Sequence, residues 1–216
     1  MAAKVTLTID GREITAPAGE KLLWAALDHG IYIPHLCAFR EEERPAASCR
    51  LCLVEVAGFR APVAACALTV AAGMVVQTRS PRVDRLVRQA FALLLSRHRL
   101  ACGQCPRNGD CALQEIARRR GLKLRREPLP PLDHDLPVDN SPATFYYDPG
   151  RCVLCGRCVW VCRHRAGVGA IGFVGRGLNR RVGTFGDVPL AQSSCTECGA
   201  CVSVCPVGAL VAKPAP

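Results

Sequence analysis

The sequence predicts an α+β fold assembled from small modules. Three observations indicate it: alternating apolar and polar residues near the start, helical periodicity between residues 79 and 121, and a cysteine motif that occurs twice after residue 143. Aromatic residues make up only 5% of the chain, so small modules of this kind need metal or covalent links to be stable. We expect modules at 1–78, 79–121 and 143–216, joined by a proline-rich linker at 122–142.

The first module, residues 1–78, has the element order of a β-grasp domain. Its first strand alternates as a half-buried strand does, and Asp10-Gly11 is a strong hairpin signal. A helical pattern then stops at Gly30, a residue type that commonly ends helices. The expected elements are the strands Lys4–Ile9 and Arg12–Pro17, the helix Glu20–His29, and the strands Leu51–Val56, Ala61–Ala67 and Met74–Thr78.

The second module, residues 79–121, is predicted to be helical. Ser80 is suited to cap a long helix, and Pro81 is tolerated in a first turn. A second, shorter helix is expected over Cys111–Arg120, closed by Gly121.

The cysteine content indicates metal binding. Fifteen is an odd number, so the cysteines cannot all form disulfides within the chain. The first residues, MAAKVTLTID, lack the apolar segment of a signal peptide, and no run of 18 apolar residues occurs. We therefore expect a cytoplasmic protein without membrane insertion, in a reducing compartment where cysteines bind metal.

The strongest motif is a cysteine run that occurs twice near the end of the chain. Cys152-x2-Cys155-x2-Cys158-x3-Cys162 is followed by Cys195-x2-Cys198-x2-Cys201-x3-Cys205-Pro206, the spacing of a bacterial ferredoxin with two [4Fe–4S] clusters. In that arrangement the fourth cysteine of each run binds the other cluster. The predicted ligands are the Cys152 group (Cys152, Cys155, Cys158 and Cys205) and the Cys162 group (Cys162, Cys195, Cys198 and Cys201).

Zinc explains this doubled run poorly, because structural zinc sites favour separated CxxC pairs. The sequence departs from the usual pattern at Arg163, where the first run would ordinarily continue with proline.

Two further sets of candidate ligands precede the doubled run. The Cys37 group (Cys37, Cys49, Cys52 and Cys66) lies in the β-grasp module and suits a [2Fe–2S] cluster, and nearby His35 is expected to be structural. The His98 group (His98, Cys102, Cys105 and Cys111) lies between the two predicted helices. Its spacing alone also allows a zinc site, or a His98 that is a surface residue.

Other features favour no additional chemistry. The formal charge of +10 would suit nucleic acid, but ligation by thiolates lowers the charge of the loaded protein to roughly +3. Gly167-x-Gly169-x-x-Gly172 matches a dinucleotide fingerprint, but it follows a cysteine helix rather than a strand, so we expect a tight loop. Arg50, Arg151 and Arg157 adjoin ligands and either stabilise reduced clusters or are solvated surface charges.

The order of these motifs resembles the N-terminal iron–sulfur region of the large iron–sulfur subunit family of respiratory complex I. The same array occurs in NAD(P)-linked hydrogenases and formate dehydrogenases. The resemblance covers about residues 4–212 and includes Cys111-Ala-Leu-Gln114, which matches the family's C-x-L-Q ending. It implies that the His98 group binds a [4Fe–4S] cluster, for a total of one [2Fe–2S] and three [4Fe–4S] clusters.

The resemblance also implies a function and partners. Family members pass electrons between a flavin subunit that handles NAD(P)H and a distal catalytic centre. We expect the protein to have neither a molybdopterin-type domain nor a hydrogenase catalytic domain after the cysteine motifs. We therefore expect a non-catalytic electron-transfer subunit in a hetero-oligomer with a flavin/NAD(P)-binding subunit and a hydrogenase catalytic subunit, with electron-bifurcating hydrogenases among the candidates. The alternatives are the equivalent subunit of a formate dehydrogenase or complex I-like enzyme, or an independent polyferredoxin.

Overall fold

The computed structural model describes residues 3–125, 129–130, 132 and 136–214, and it confirms the α+β class. The chain divides into two compact units, Met1–Phe91 and Ala92–Pro216. Part of the predicted linker at 122–142 lies outside the described residues, and the division into four sequence segments stays a prediction.

The first unit is built on a five-stranded mixed sheet with strand order β2-β1-β5-β3-β4. The central pair, β1 and β5, is parallel, and the other neighbours are antiparallel, which gives the predicted β-grasp arrangement. Its elements are β1 (Lys4–Ile9), β2 (Arg12–Pro17), α1 (Leu22–Asp28), β3 (Leu53–Val56), β4 (Val63–Ala64) and β5 (Val75–Gln77).

The first hairpin forms as its sequence predicts. Leu7 and Ile9 are buried at alternate positions of β1, and the turn places Asp10 and Gly11 at φ values of 50° and 79°. Two successive left-handed residues make a turn whose twist matches that of the flanking strands. The Asp10 carboxylate then accepts hydrogen bonds from the Thr78 amide at 2.7 Å and the Thr78 hydroxyl at 2.6 Å, which ties the hairpin to the end of β5.

The second hairpin is shorter than the sequence predicts. Strand β4 ends at Ala64 because the chain turns there, and the Ala64 carbonyl accepts hydrogen bonds from the amides of Ala67 and Leu68. The turn places the Leu68 carbonyl where it accepts a bond from the Leu22 amide at the start of α1. Cys66 therefore lies in a turn rather than on a strand.

Helix α2 spans Pro81–Arg97. The predicted cap is confirmed, because the Ser80 hydroxyl accepts a hydrogen bond from the Val83 amide at 3.1 Å. Helix α3 spans Ala112–Arg120 and ends at Gly121 in the left-handed conformation, also as predicted.

The rest of the second unit consists of short elements around small sheets. Strand β6 (Phe145–Tyr147) pairs antiparallel with β9 (Leu210–Ala212), and β7 (Ile171–Val174) pairs antiparallel with β8 (Arg181–Thr184). Helices α4 (Arg157–His164) and α5 (Ala200–Ser203) each follow a cysteine loop. Single turns of 3-10 helix occur at Cys102–Gln104, Pro149–Arg151, Gly177–Asn179, Phe185–Asp187 and Leu190–Gln192.

The first two glycines of the apparent dinucleotide fingerprint lie in a loop, and the third, Gly172, lies in β7. Gly167 and Gly169 have φ values of 68° and 65°, and strand β7 follows them where a nucleotide-binding fold needs a helix. Among the described residues, no helix has both the length and the apolar character needed to cross a bilayer.

The link between Asp10 and Thr78 generates a stability prediction. Asp10→Ala removes a charged acceptor of two hydrogen bonds and places alanine in a left-handed conformation. We expect the free energy of unfolding to fall by about 2–3 kcal/mol in denaturant titrations followed by circular dichroism. Glu13→Ala, at an exposed position of the same hairpin, should change it by less than about 0.5 kcal/mol. Equal losses in the two variants would contradict this account.

Candidate metal centres

The Cys37 group is buried in the first unit. Three of its thiols come from the long segment between α1 and β3 and the fourth from the turn after β4, and each residue is at most 5% exposed. The Sγ atoms of Cys37 and Cys49 are 3.4 Å apart. The structure thus gathers four cysteines from two segments into one interior site.

The thiol groups of the Cys37 group are hydrogen-bonded in pairs. A hydrogen bond with Cys49 lowers the pKa of Cys37 to about 5, and the same contact raises the pKa of Cys49. Cys52 and Cys66 form a second such pair, in which the hydrogen bond lowers the pKa of Cys52 and raises that of Cys66. Four thiolates could be held here together only against a cationic core, which fits the donor set of a [2Fe–2S] cluster.

His35, which lies near this group in the sequence, takes part in packing. Its ring meets the Trp24 ring edge-on at a centroid distance of 5.4 Å, and its Nδ1 lies 3.1 Å from the Ile33 carbonyl oxygen.

The His98 group belongs to the second unit. His98 directly follows α2 and is 6% exposed, Cys102 and Cys105 bracket a 3-10 turn, and Cys111 immediately precedes α3. Burial, followed by the nearby charges of Cys105 and Cys102, raises the pKa of Cys111. The three thiols therefore lie within electrostatic reach of one another.

The ring of His98 is held in the tautomer that a metal ligand needs. Its Nδ1 lies 2.9 Å from the carbonyl oxygen of Arg151. Because a carbonyl can only accept, Nδ1 carries the proton and donates it, and the lone pair of the neutral ring is on Nε2. Metal-binding histidines commonly donate their second nitrogen to a carbonyl in this way.

Gln114 explains why the C-x-L-Q ending belongs with this group. Its Oε1 accepts a hydrogen bond from the Gly109 amide, and its Nε2 donates one to Asn108 Oδ1, both at 2.8 Å. The side chain thereby braces the loop between Cys105 and Cys111. The backbone amides of Leu113 and Gln114 also favour a thiolate at Cys111.

The two cysteine runs fold in the same way, which confirms the predicted internal repeat. The third residues of the runs, Leu154 and Glu197, each have a φ of 53°. Their amides donate to the sulfurs of the first cysteines, Cys152 and Cys195, at 3.4 Å in both cases. A left-handed glycine then follows the second cysteine of each run and starts α4 or α5.

The fourth cysteine of each run lies with the other run. Burial, then neighbouring sulfurs that include Cys205, raises the pKa of Cys152 to about 11 and that of Cys155 to about 12, and raises that of Cys158 well above its usual value. Burial and the charges of Cys195, Cys162 and Cys198 likewise raise the pKa of Cys201 to about 12. The structure therefore brings together the Cys152 group and the Cys162 group; that each binds a cluster stays a prediction.

A cavity of about 370 Å³ lies against the Cys162 group, and all four of its cysteines line the walls. Apolar residues such as Phe145, Ile171 and Leu210 form other parts of the lining. Cysteine sulfurs around a largely apolar cavity fit a [4Fe–4S] cluster. Cys198 is the one cysteine of the four groups that is exposed, so this group reaches the surface.

Sequence reasoning missed the charged residues that organise the second unit. Asp148, 4% exposed, forms ion pairs with Arg99 and Arg151, and it accepts a hydrogen bond from the Gly150 amide at 3.0 Å. The Arg151 side chain is only 13% exposed, so it is not a solvated surface charge, and a role in stabilising a reduced cluster stays a prediction. Arg50, by contrast, is exposed.

Comparisons with known proteins agree with this order of sites. Residues 2–81 match the family model of a 2Fe-2S iron-sulfur cluster binding domain. Residues 88–126 match the NADH-ubiquinone oxidoreductase-G iron-sulfur binding region, and residues 151–209 match a 4Fe-4S dicluster domain. The chain thus carries one [2Fe–2S] domain and [4Fe–4S] domains.

Curated relatives match nearly the whole chain. The HndD protein of the NADP-reducing hydrogenase of Solidesulfovibrio fructosivorans is 38% identical over 211 residues, which are 96% of this chain and 36% of the relative. A G-type NADH-quinone oxidoreductase protein of Rhizobium meliloti is 37% identical over 211 residues, which are 97% of this chain and 24% of that relative. The chain spans about a third or less of the length of these relatives.

A solved structure matches over most of both chains. A chain in the crystal structure of an NAD+-reducing [NiFe]-hydrogenase in the H2-reduced state superposes with a TM-score of 0.85 at 33% identity. The match covers 98% of this chain and 88% of that chain. Taken with the three domain matches, it shows that the protein belongs to the iron–sulfur family that includes the G-type proteins of NADH-quinone oxidoreductases and this hydrogenase chain.

Proposed function

We propose that the chain is a non-catalytic electron-transfer subunit with one [2Fe–2S] and three [4Fe–4S] clusters. It relays electrons between an NAD(P)H-linked flavoprotein subunit and the catalytic subunit of a cytoplasmic, multi-subunit hydrogenase. The observation that carries this proposal is the gathering of all fifteen cysteines and His98 into four groups. The match to 88% of a chain in an NAD+-reducing hydrogenase supports the hydrogenase assignment.

Each of the four groups supplies four ligands. The Cys37 group would hold the [2Fe–2S] cluster, and the His98, Cys152 and Cys162 groups would each hold a [4Fe–4S] cluster. When bound, the clusters supply one-electron chemistry. A series of such centres is useful where donor and acceptor are far apart, because electron tunnelling falls steeply with distance.

The surrounding residues favour the more negative, reduced form of the clusters. Backbone amides of Leu154 and Glu197 donate to ligand sulfurs, and such hydrogen bonds raise reduction potentials. The Arg97 guanidinium lies close enough to Cys152 for their charges to interact. Its position is fixed by a hydrogen bond of 2.9 Å to the Leu178 carbonyl and a second bond to the Arg180 carbonyl.

A second candidate function differs only in the catalytic partner. Relatives include G-type proteins of NADH-quinone oxidoreductases and the alpha chain of an NADPH-Fe(3+) oxidoreductase of Geobacter sulfurreducens, 36% identical over 217 residues. These relatives favour the same relay in a complex I-like or other NAD(P)-linked enzyme. Identification of the proteins that purify with the native chain would distinguish the two, because only the first predicts a hydrogenase catalytic subunit.

The relay should depend on a flavoprotein partner. NADH delivers a hydride, whereas iron–sulfur clusters accept single electrons, so a flavin is needed between them. We expect dithionite, but not NADH, to bleach the visible absorption of the isolated cluster-loaded chain. In the complex with the flavin subunit, NADH should bleach it. Rapid NADH-driven bleaching of the isolated, flavin-free chain would refute the proposal.

His98 offers a direct test of ligation. His98→Cys keeps four ligands but replaces a neutral imidazole with a thiolate, and the added negative charge should lower the potential of this cluster. His98→Ala should make that cluster labile while the other three keep their signals. Both outcomes can be followed by EPR-monitored redox titration of the anaerobically purified protein.

His164 provides the matched control for these variants. It also lies at the end of a helix, but it is exposed and stacks on Trp160. His164→Ala should leave all cluster signals and potentials unchanged. If His98→Ala gives the same unchanged result, His98 is not a ligand.

A further inference from the structure

Several backbone contacts connect the His98 group to the Cys152 group. His98 Nδ1 donates to the carbonyl of Arg151, the residue just before Cys152. At the other end of the His98 group, the amide of Ala112, just after Cys111, donates to the carbonyl of Pro206 at 3.0 Å, and Pro206 directly follows Cys205. Hydrogen bonds at both ends of the His98 group thus reach residues that adjoin ligands of the Cys152 group.

The Arg151 side chain adds a link of the same kind. One of its terminal nitrogens donates to the carbonyl of Gln104, next to Cys105, at 3.2 Å. Buried Asp148 holds the turn that carries Arg151 by accepting from Gly150, and the Arg99 amide donates to the Gly150 carbonyl at 2.7 Å. The Arg151 peptide is therefore held firmly between the two ligand sets.

Gly208 brings the two groups into close approach. A Cβ built at this position would lie only 2.7 Å from Cys105 Sγ, and 3.6 Å from Arg151 Cδ. The backbone of Gly208 is outside the left-handed region, so glycine is needed here for space and not for a turn. Its neighbours Val207 and Ala209 are 1% and 2% exposed, so the segment has little room to retreat.

We infer that Gly208 and the Arg151 peptide form a junction that sets the separation between the Cys152 group and the His98 group. This inference rests on the proposed ligation of both clusters. The hydrogen bond from His98 leads through the Arg151 carbonyl and a single peptide link to Cys152. Gly208 and Arg151 act as positioning residues, since they hold two ligand sets at a fixed distance without themselves binding metal.

The first experiment replaces Gly208 with alanine. Gly208→Ala places a methyl group 2.7 Å from Cys105 Sγ, so the sulfur or the segment must move by about 1 Å to reach ordinary contact. We expect the variant to keep its iron content. The magnetic interaction between the reduced His98 and Cys152 clusters, measured by EPR, should change, and both potentials should shift. Signals of the Cys37 and Cys162 clusters should stay as in the wild type.

Gly172→Ala is the matched control. Gly172 lies in β7, its backbone is also outside the left-handed region, and a Cβ there would meet nothing within 4 Å. This variant should reproduce the wild-type spectrum. If Gly208→Ala has full iron content and a spectrum identical to that of Gly172→Ala, the junction is wrong while the ligation stands. If no signal responds to removal of His98, the ligation itself has failed.

A second measurement decides the matter if Gly208→Ala does not assemble its clusters. In the otherwise unmodified chain, Cys155→Ala removes a ligand of the Cys152 group and Cys198→Ala removes a ligand of the Cys162 group. The junction predicts that the first variant abolishes the magnetic broadening of the His98 cluster signal and that the second leaves it. The reverse pattern would overturn the inference.

Discussion

The burial of closely spaced thiols is the constraint on which the rest of this structure depends. Burial raises the pKa values of Cys152, Cys155 and Cys158, and each ionised neighbour raises them further. Thiolates in such a place are stable only beside a compensating cation, so iron binding and folding are coupled. The loops that carry the cysteines therefore have to hold ionised sulfur atoms close together.

The backbone conformation of the second unit helps to hold the ionised sulfur atoms together. Leu154 and Glu197 adopt left-handed conformations that cost non-glycine residues about 1 kcal/mol each. In return, their amides turn toward the sulfurs of Cys152 and Cys195. Around the His98 group, the Gln114 side chain braces one loop and the backbone carbonyl of Arg151 orients the imidazole. The strain and the braces both serve to position ligands.

The sequence predicted those features whose signals are local. Asp10-Gly11 marks the hairpin, Ser80 caps α2, Gly121 closes α3, and the repeated cysteine spacing predicts two loops of one shape. The early end of β4 was not predicted: the chain turns at Ala64, and the amide of Leu22, from a distant segment, donates to the Leu68 carbonyl of that turn.

Contacts between distant segments account for what sequence reasoning missed in the site. Buried Asp148 forms its ion pair with the half-exposed Arg99 across 49 positions of the chain. In the sequence, nothing distinguishes Gly208 from other glycines in loops. Its role depends on the close approach of Cys105 Sγ, which only the structure shows. The role of Arg151 was open in the sequence, because proximity to Cys152 does not reveal whether a side chain is solvated. The structure shows that the Arg151 side chain is largely buried and paired with Asp148.

The most direct test of the account is the metal and sulfide content of the protein purified without oxygen, combined with Mössbauer spectroscopy. One [2Fe–2S] and three [4Fe–4S] clusters predict about 14 irons and an equal number of acid-labile sulfides per chain. The spectrum should resolve into one [2Fe–2S] and three [4Fe–4S] components. A protein that contains mainly zinc, or fewer than about 10 irons per chain after reconstitution, would contradict the account.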